Sequence, residues 1–246
     1  MLRPIAAAIT LALAATVVPA HAQQFLGRVG SGCTILPANN TQGVPLDAAV
    51  PAGTTLVISV AASSKFVSDL TISDPNGSVY QALGGNQSGN AGMLVHFRTV
   101  LQRPLGAGAT VQLKYANAGS GVQSCASVLG FRGIPAGSIV QDALGAAAGN
   151  SATPAVNATA SSTAQQEWVL ASFSTAATPG NVGAQAPATA LVTVCSADMS
   201  LCLLDAFYVT STVGTPGVSL TLANAVNWTG ALTALYADGI FGNGFD

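Results

Sequence analysis

The side chains able to do acid–base or nucleophilic chemistry are few: two histidines, eight aspartates, one glutamate and four cysteines. His21 falls in the leader described below, so a Ser-His-Asp relay would have to run through His96, with Asp69, Asp142, Asp205 or Asp238 orienting the ring. Such a relay needs a hydroxyl on one ring nitrogen and a carboxylate on the other. No Gly-x-Ser-x-Gly elbow accompanies it. Met93, Val95 and Phe97 point one way along their segment and His96 and Arg98 the other, so His96 is read as a surface histidine beside a cation. Glycoside hydrolysis takes another route, through two carboxylates roughly 5–9 Å apart. Asp69, Asp205 and Asp238 are the acids a folded sandwich could bring together. Glu167 opens a strand, Asp74 sits in a turn, Asp198 lies between two cysteines and Asp246 ends the chain. The expectation is a chain without catalytic residues.

Cofactor and metal signals point the same way. The Gly84-Gly85 and Gly106-Ala107-Gly108 segments are not followed by helix signals, as a phosphate cradle requires. The Asp74 turn lacks the further acidic ligands of a calcium loop. Cys33, Cys125, Cys195 and Cys202 contain no Cys-x-x-Cys pair, which argues against zinc. Disulfides are the expected alternative. Of the three pairings, Cys195–Cys202 is favoured because Ser196 to Leu201 can form a hairpin loop, which leaves Cys33 for Cys125 and ties the N-terminal segment to a central strand. No cofactor is expected.

The compartment follows from the first residues. Arg3 supplies a positive start, Ile5 to Val18 is an apolar stretch of signal-peptide length, and Ala20-His21-Ala22 after Pro19 has the small-x-small cleavage pattern. Residues 1–22 are therefore expected to be removed, and the protein to be secreted or periplasmic. Charged residues make up only 7%, against about 25% in an average soluble protein. The net charge of −2 is weak and scattered, and no basic run occurs, which excludes nucleic-acid binding. Self-association or life on a surface is easier for a chain with so little charge. Ser, Thr, Asn, Gln and Gly must form the polar surface, which suits strands better than amphipathic helices.

Strand signals recur: Thr54 to Ala62 as a near-continuous apolar run, then Asp69 to Ser73, Ser78 to Leu83, Met93 to Leu101, Thr110 to Ala116 and Val122 to Phe131. Trp168 to Phe173, Ala190 to Cys195, Cys202 to Thr210, Val218 to Leu222 and Gly230 to Tyr236 complete the series. Asp74-Pro75-Asn76-Gly77 reads as a tight β-connection, and the Gly-rich stretch 84–92 as a loop. Ala143 to Gln166 is low in complexity and reads either as a linker or as a weak edge strand through Val156, Ala158 and Ala160. The predicted fold is all-β: an antiparallel, disulfide-stapled, jelly-roll-like β-sandwich, with residues 23–239 as a single domain and 240–246 as a tail.

The order of these segments resembles a widespread, poorly characterised class of bacterial extracellular β-sandwich modules found in secreted and surface proteins. The matching residues are Leu56-Val57-Ile58-Ser59-Val60-Ala61, then Thr71-Ile72-Ser73-Asp74 with Gly77 and Tyr80, Ala126-Ser127-Val128-Leu129-Gly130-Phe131, Gly-Asn-Ser-Ala-Thr-Pro at 149–154, Glu167 to Ala171, and Trp228 to Tyr236. The resemblance covers roughly residues 54 to 237 and implies a non-catalytic sandwich. Members often carry an acid where this chain has Gly130, and the four cysteines stand outside the pattern. The ending Ile240 to Asp246 is similar to Phe-Gly-Phe-acidic endings of some secreted Gram-negative proteins, which implies a sorting tag; a floppy terminus is the competing reading.

Sandwich modules bind sugars on exposed aromatic rings, and the candidates here are Trp168 and Trp228, with Tyr80, Tyr115, Tyr208 and Tyr236 behind them. At strand starts, core packing competes with that role. The expected function is a binding, adhesion or structural module whose partner is a glycan or surface polymer. The alternative is a secreted hydrolase working through Asp and Glu. An outer-membrane barrel ranks last, because it needs two aromatic girdles and only 6% of residues are aromatic.

Overall fold

The computed structural model describes residues 24–64, 70–84, 87–89, 91–119, 121–132, 139–163, 167–210 and 212–237. The leader, Asp69, Asp238 and the tail 240–246 lie outside them. The described residues contain strands and no helix.

The N-terminal set comprises β1 (Gln24–Ile35), β2 (Thr41–Pro45), β3 (Thr55–Ala62), β4 (Leu70–Ser73), β5 (Gln81–Ala82), β6 (Gln87–Gly89), β7 (Gly92–Val100), β8 (Thr110–Tyr115) and β9 (Gln123–Arg132). They form a large sheet in the order β1-β9-β3-β7-β5, with β6 also on β7, and a small sheet β2-β8-β4. The C-terminal set comprises β10 (Ile139–Ser151), β11 (Ala155–Asn157), β12 (Trp168–Thr175), β13 (Val182–Ala184), β14 (Thr189–Cys195), β15 (Cys202–Val209), β16 (Gly217–Leu222) and β17 (Val226–Ala237). Its large sheet runs β10-β17-β12-β15-β14 and its small sheet β11-β16-β13. The two sets repeat one winding: first, last, third and antepenultimate strands in the large sheet, and second, penultimate and fourth in the small one.

The paired strands are antiparallel throughout. Each small sheet covers one face of its large sheet, and the two large sheets pack on each other by their remaining faces. Strand periodicity makes this possible, because successive side chains point to opposite faces. On β3, Leu56, Ile58 and Val60 join the N-terminal core, while Val57 and Ala61 turn toward the C-terminal set. On β12, Val169, Ala171 and Phe173 fill the C-terminal core, and Trp168 and Leu170 face back. Burial on both faces is the reason these antiparallel strands read as unbroken apolar runs, a pattern more familiar from parallel sheets.

Three segments differ from the sequence reading. β10 is a strand along its whole length and pairs with β17 from Ile139↔Ala237 to Ser151↔Val226. Its small residues hide the usual pattern, because their partners supply the bulk: Trp228 lies over Gly149, within 3.3 Å of where a Cβ would stand. Within the Gly-rich stretch, Gln87–Gly89 pairs with β7. There Gly89 allows a close approach between the sets, since a Cβ would meet Ala148 at 2.6 Å and Thr229 at 2.5 Å. β1 has no alternating apolar pattern to mark it as a strand, yet it lies beside β9 through two register shifts.

Candidate functional site

Two buried titratable groups, His96 and Asp205, come together with hydroxyl side chains between the two large sheets. Ser59 on β3, His96 on β7 and Ser127 on β9 meet Ser172 on β12, Asp205 on β15 and Thr233 on β17, and all six are buried. Ser172 Oγ lies 2.8 Å from His96 Nε2, 2.6 Å from Asp205 Oδ1 and 2.9 Å from Ser59 Oγ. Thr233 Oγ1 lies 2.9 Å from His96 Nδ1, and Ser127 donates to Asp205 Oδ2. A consistent arrangement has Thr233 donating to Nδ1, Nε2–H donating to Ser172, and Ser172 and Ser127 each donating to Asp205. Burial holds the ring neutral by pushing its pKa down to about 4. Burial also pushes Asp205 upward, against the lowering effect of the Ser127, Ser172 and Ser59 hydroxyls.

His96 is therefore not the surface histidine that its alternation with Phe97 suggested. At His96 that face is covered by the second large sheet, which the local pattern cannot reveal. The cluster has the residue types of a hydrolytic triad in another order. The hydroxyl stands between imidazole and carboxylate, whereas a triad places the imidazole in the middle. A substrate could reach it only by prising the packed sheets apart.

The two sequence-derived tryptophans are packed inward. Trp168 is 4% exposed and lies 4.3 Å, ring to ring, from Phe131, which also contacts Phe25 and Phe207. Trp228 is 7% exposed and tilts against Phe173 at 5.9 Å, with its Nε1 buried and without a hydrogen-bond partner. Neither indole offers a flat face to solvent. Tyr115 is buried, its hydroxyl meeting Ser124, while Tyr80 is half-buried and donates to Asp74 Oδ2 at 2.8 Å. Tyr208 and Tyr236 are half-buried.

Both disulfides form as the spacing predicts, between residues directly opposite in register: Cys33 with Cys125 across β1 and β9, and Cys195 with Cys202 across β14 and β15. Cys125 packs with Leu201 and Leu203, so the bridges lie at one end of the contact between the large sheets. The turn inside the second bridge reaches across to the first set. Gln123 Nε2 donates to Asp198 Oδ2 at 2.6 Å, and Ser200 donates to Gln123 Oε1. Hydrogen bonds from Ser196, Ser200 and Gln123 hold the Asp198 carboxyl down at about 2. Structural cystines fit an oxidising, extracytoplasmic compartment. No helix among the described residues is long and apolar enough to cross a membrane.

An open groove of about 620 Å³ lies at the far edge of the N-terminal large sheet, where Asn76 to Val79 and Gln81 face Arg98 to Val100, Gln102 and Arg103. Asp74 shapes one wall: its Oδ1 accepts from the backbone N–H of Asn76 at 2.8 Å and of Ser78 at 3.2 Å. Asn76 Nδ2 then donates to the carbonyls of Arg103 at 3.3 Å and Pro104 at 2.9 Å, and Thr99 donates to the Val79 carbonyl at 2.8 Å. A turn at Asp74-Pro75-Asn76-Gly77 is legible in the sequence, whereas its contact with Arg103, far along the chain, is not. The Asp74 pKa falls although burial opposes it, because Ser78, Tyr80 and Asn76 donate to the carboxylate.

No group of three or more His, Cys, Asp or Glu that could hold a metal ion occurs among the described residues. At Gly130, where the resembled modules often carry an acid, a Cβ would come within 3.3 Å of Val29 and 3.4 Å of Leu26, an apolar setting for a carboxylate. The family suggested by segment order is not identified: no family model, no curated protein and no solved structure matches the chain.

Proposed function

We propose that this protein is secreted and acts outside the cytoplasm as a non-catalytic binding, adhesion or structural module with a glycan or surface polymer as its partner. The observation that carries the reading is the sealed His96–Ser172–Asp205 cluster. Its hydrogen bonds join the large sheets, and its order and burial suit cross-linking better than nucleophilic attack. The cystines and the polar, charge-poor surface of a sandwich are consistent with service as a scaffold in an oxidising setting.

Two measurements test this reading. Expression of the full chain in a Gram-negative host, followed by fractionation and thiol trapping, should give an oxidised protein lacking residues 1–22 outside the cytoplasm. The purified protein should be retained on a polysaccharide or cell-wall matrix and leave chromogenic glycosides and esters intact. Turnover that disappears in Asp205→Asn, assayed on folded protein, would establish the hydrolase alternative instead.

A further inference from the structure

We propose that the groove between Asn76–Gln81 and Arg98–Arg103 binds a carboxylate-bearing saccharide, with Arg103 and Arg98 facing the carboxylate and Ser78, Gln81, Thr99 and Gln102 facing the hydroxyls. This inference deepens the binding-module reading and rests on it.

The chemistry of the lining selects the ligand class. Guanidinium groups present a planar fork of donors that matches a carboxylate. Primary amides and hydroxyls both donate and accept, as sugar hydroxyls require. No aromatic ring among the described residues lines the groove, so the ring stacking that serves neutral sugars is missing from it. The chain has only seven basic residues, and two of them line this groove. The nearby acid, Asp74, is turned toward the backbone of Asn76 and Ser78 and the Tyr80 hydroxyl.

Shape and rigidity agree with this assignment. A volume of about 620 Å³ is within the range of small-ligand sites. The wall is braced by the bonds from Asn76 to the Arg103 and Pro104 carbonyls and from Thr99 to Val79, so little ordering remains for the ligand to drive. Arg98 stands on β7, in register with Gln81 of β5, and its Nη2 lies 3.4 Å from Gln81 Oε1. Arg103 follows the strand on an exposed turn.

The test is calorimetric titration of the oxidised protein with tetragalacturonate, maltotetraose and inorganic phosphate. Tetragalacturonate should bind at least about ten-fold more tightly than maltotetraose, and less tightly as salt rises. Arg103→Gln should weaken it by about ten- to a hundred-fold, while Lys114→Gln, outside the groove, should leave it unchanged. Because Arg103 is exposed, this variant keeps the fold, and an unchanged melting temperature verifies that. Arg98→Gln provides a second, partly buried probe.

Absence of tetragalacturonate binding, or binding indifferent to Arg103→Gln, overturns the proposal. Phosphate binding as tightly as the oligosaccharide overturns it too, by reducing the groove to a simple anion site. Maltotetraose binding that ignores Arg103→Gln refutes the groove but leaves the module reading standing. No retention on any polysaccharide or cell-wall matrix refutes the module reading itself.

Discussion

Burying His96 between two sheets makes stability depend on pH, and the structure sets the size and sign of the effect. The ring pKa falls from the ordinary 6.5 to about 4 in the folded chain because the charged form is desolvated. A folded pKa below the unfolded one means that, between those values, the unfolded chain binds the extra proton. Stability is then complete above about pH 6.5 and is lost as pH falls toward 4. A fall from 6.5 to about 4 corresponds to roughly 3 kcal/mol. Asp205 acts oppositely: its pKa is raised, so protonation stabilises the folded state as pH falls through that raised value. Comparison with His96→Gln separates the two groups, since glutamine preserves a donor and an acceptor and does not titrate. Urea unfolding of both proteins, with disulfides intact, at pH 7, 6, 5 and 4 should show wild type more stable at pH 7. Its advantage should shrink by about 3 kcal/mol by pH 4. A stability difference independent of pH would refute the argument, as would an NMR titration placing the His96 pKa near 6.5.

Three further outcomes follow from packing and covalent structure. Replacing Cys33 and Cys125 together with alanine should cost about 4–5 kcal/mol by loop-closure entropy, and replacing Cys195 and Cys202 about 2–3 kcal/mol, because the sequence separations are 92 and 7; equal losses in chemical denaturation would contradict this. Phe131→Ala removes the ring shared by Phe25, Trp168 and Phe207, so unfolding should become easier by about 3–5 kcal/mol and Trp168 emission should shift to the red; an unshifted spectrum would mean that water does not reach the seam. Gly92→Ala should destabilise by about 3 kcal/mol or more, since φ is +93° and the new Cβ would lie 2.0 Å from the Ala62 carbonyl oxygen; a melting temperature within a degree of wild type would show that the ends of β3 and β7 can shift apart.

Local pattern was legible where one strand carried its own signal. Thr54 to Ala62 announced itself as a near-continuous apolar run, Trp168 to Phe173 was marked as a strand, and the alternation of Val111, Leu113 and Tyr115 marked β8. The cystine pairing was legible because Ser196 to Leu201 span a hairpin turn, which left only one partner for Cys33. The repeated winding of the two strand sets was not legible, because it resides in hydrogen-bonded order rather than in residue types. β10 was obscured for a related reason: alanine and glycine carry little periodic signal when the bulky side chains come from the partner strand. For the groove, a turn was visible at Asp74, but only pairing of distant strands brings that turn beside Arg98 and Arg103.

By itself, the amino-acid sequence determined that the chain is built from strands, which cysteines can bridge, and how few groups are available for chemistry. Tertiary structure alone decided what the second face of each large sheet meets. Side-chain alternation assigns a residue to a face but does not say what covers that face. His96 and Arg98 share one, yet His96 is sealed among hydroxyls between the sheets while Arg98 reaches an open groove at their edge. The difference arises because water is excluded where the two large sheets overlap and readmitted at their margin.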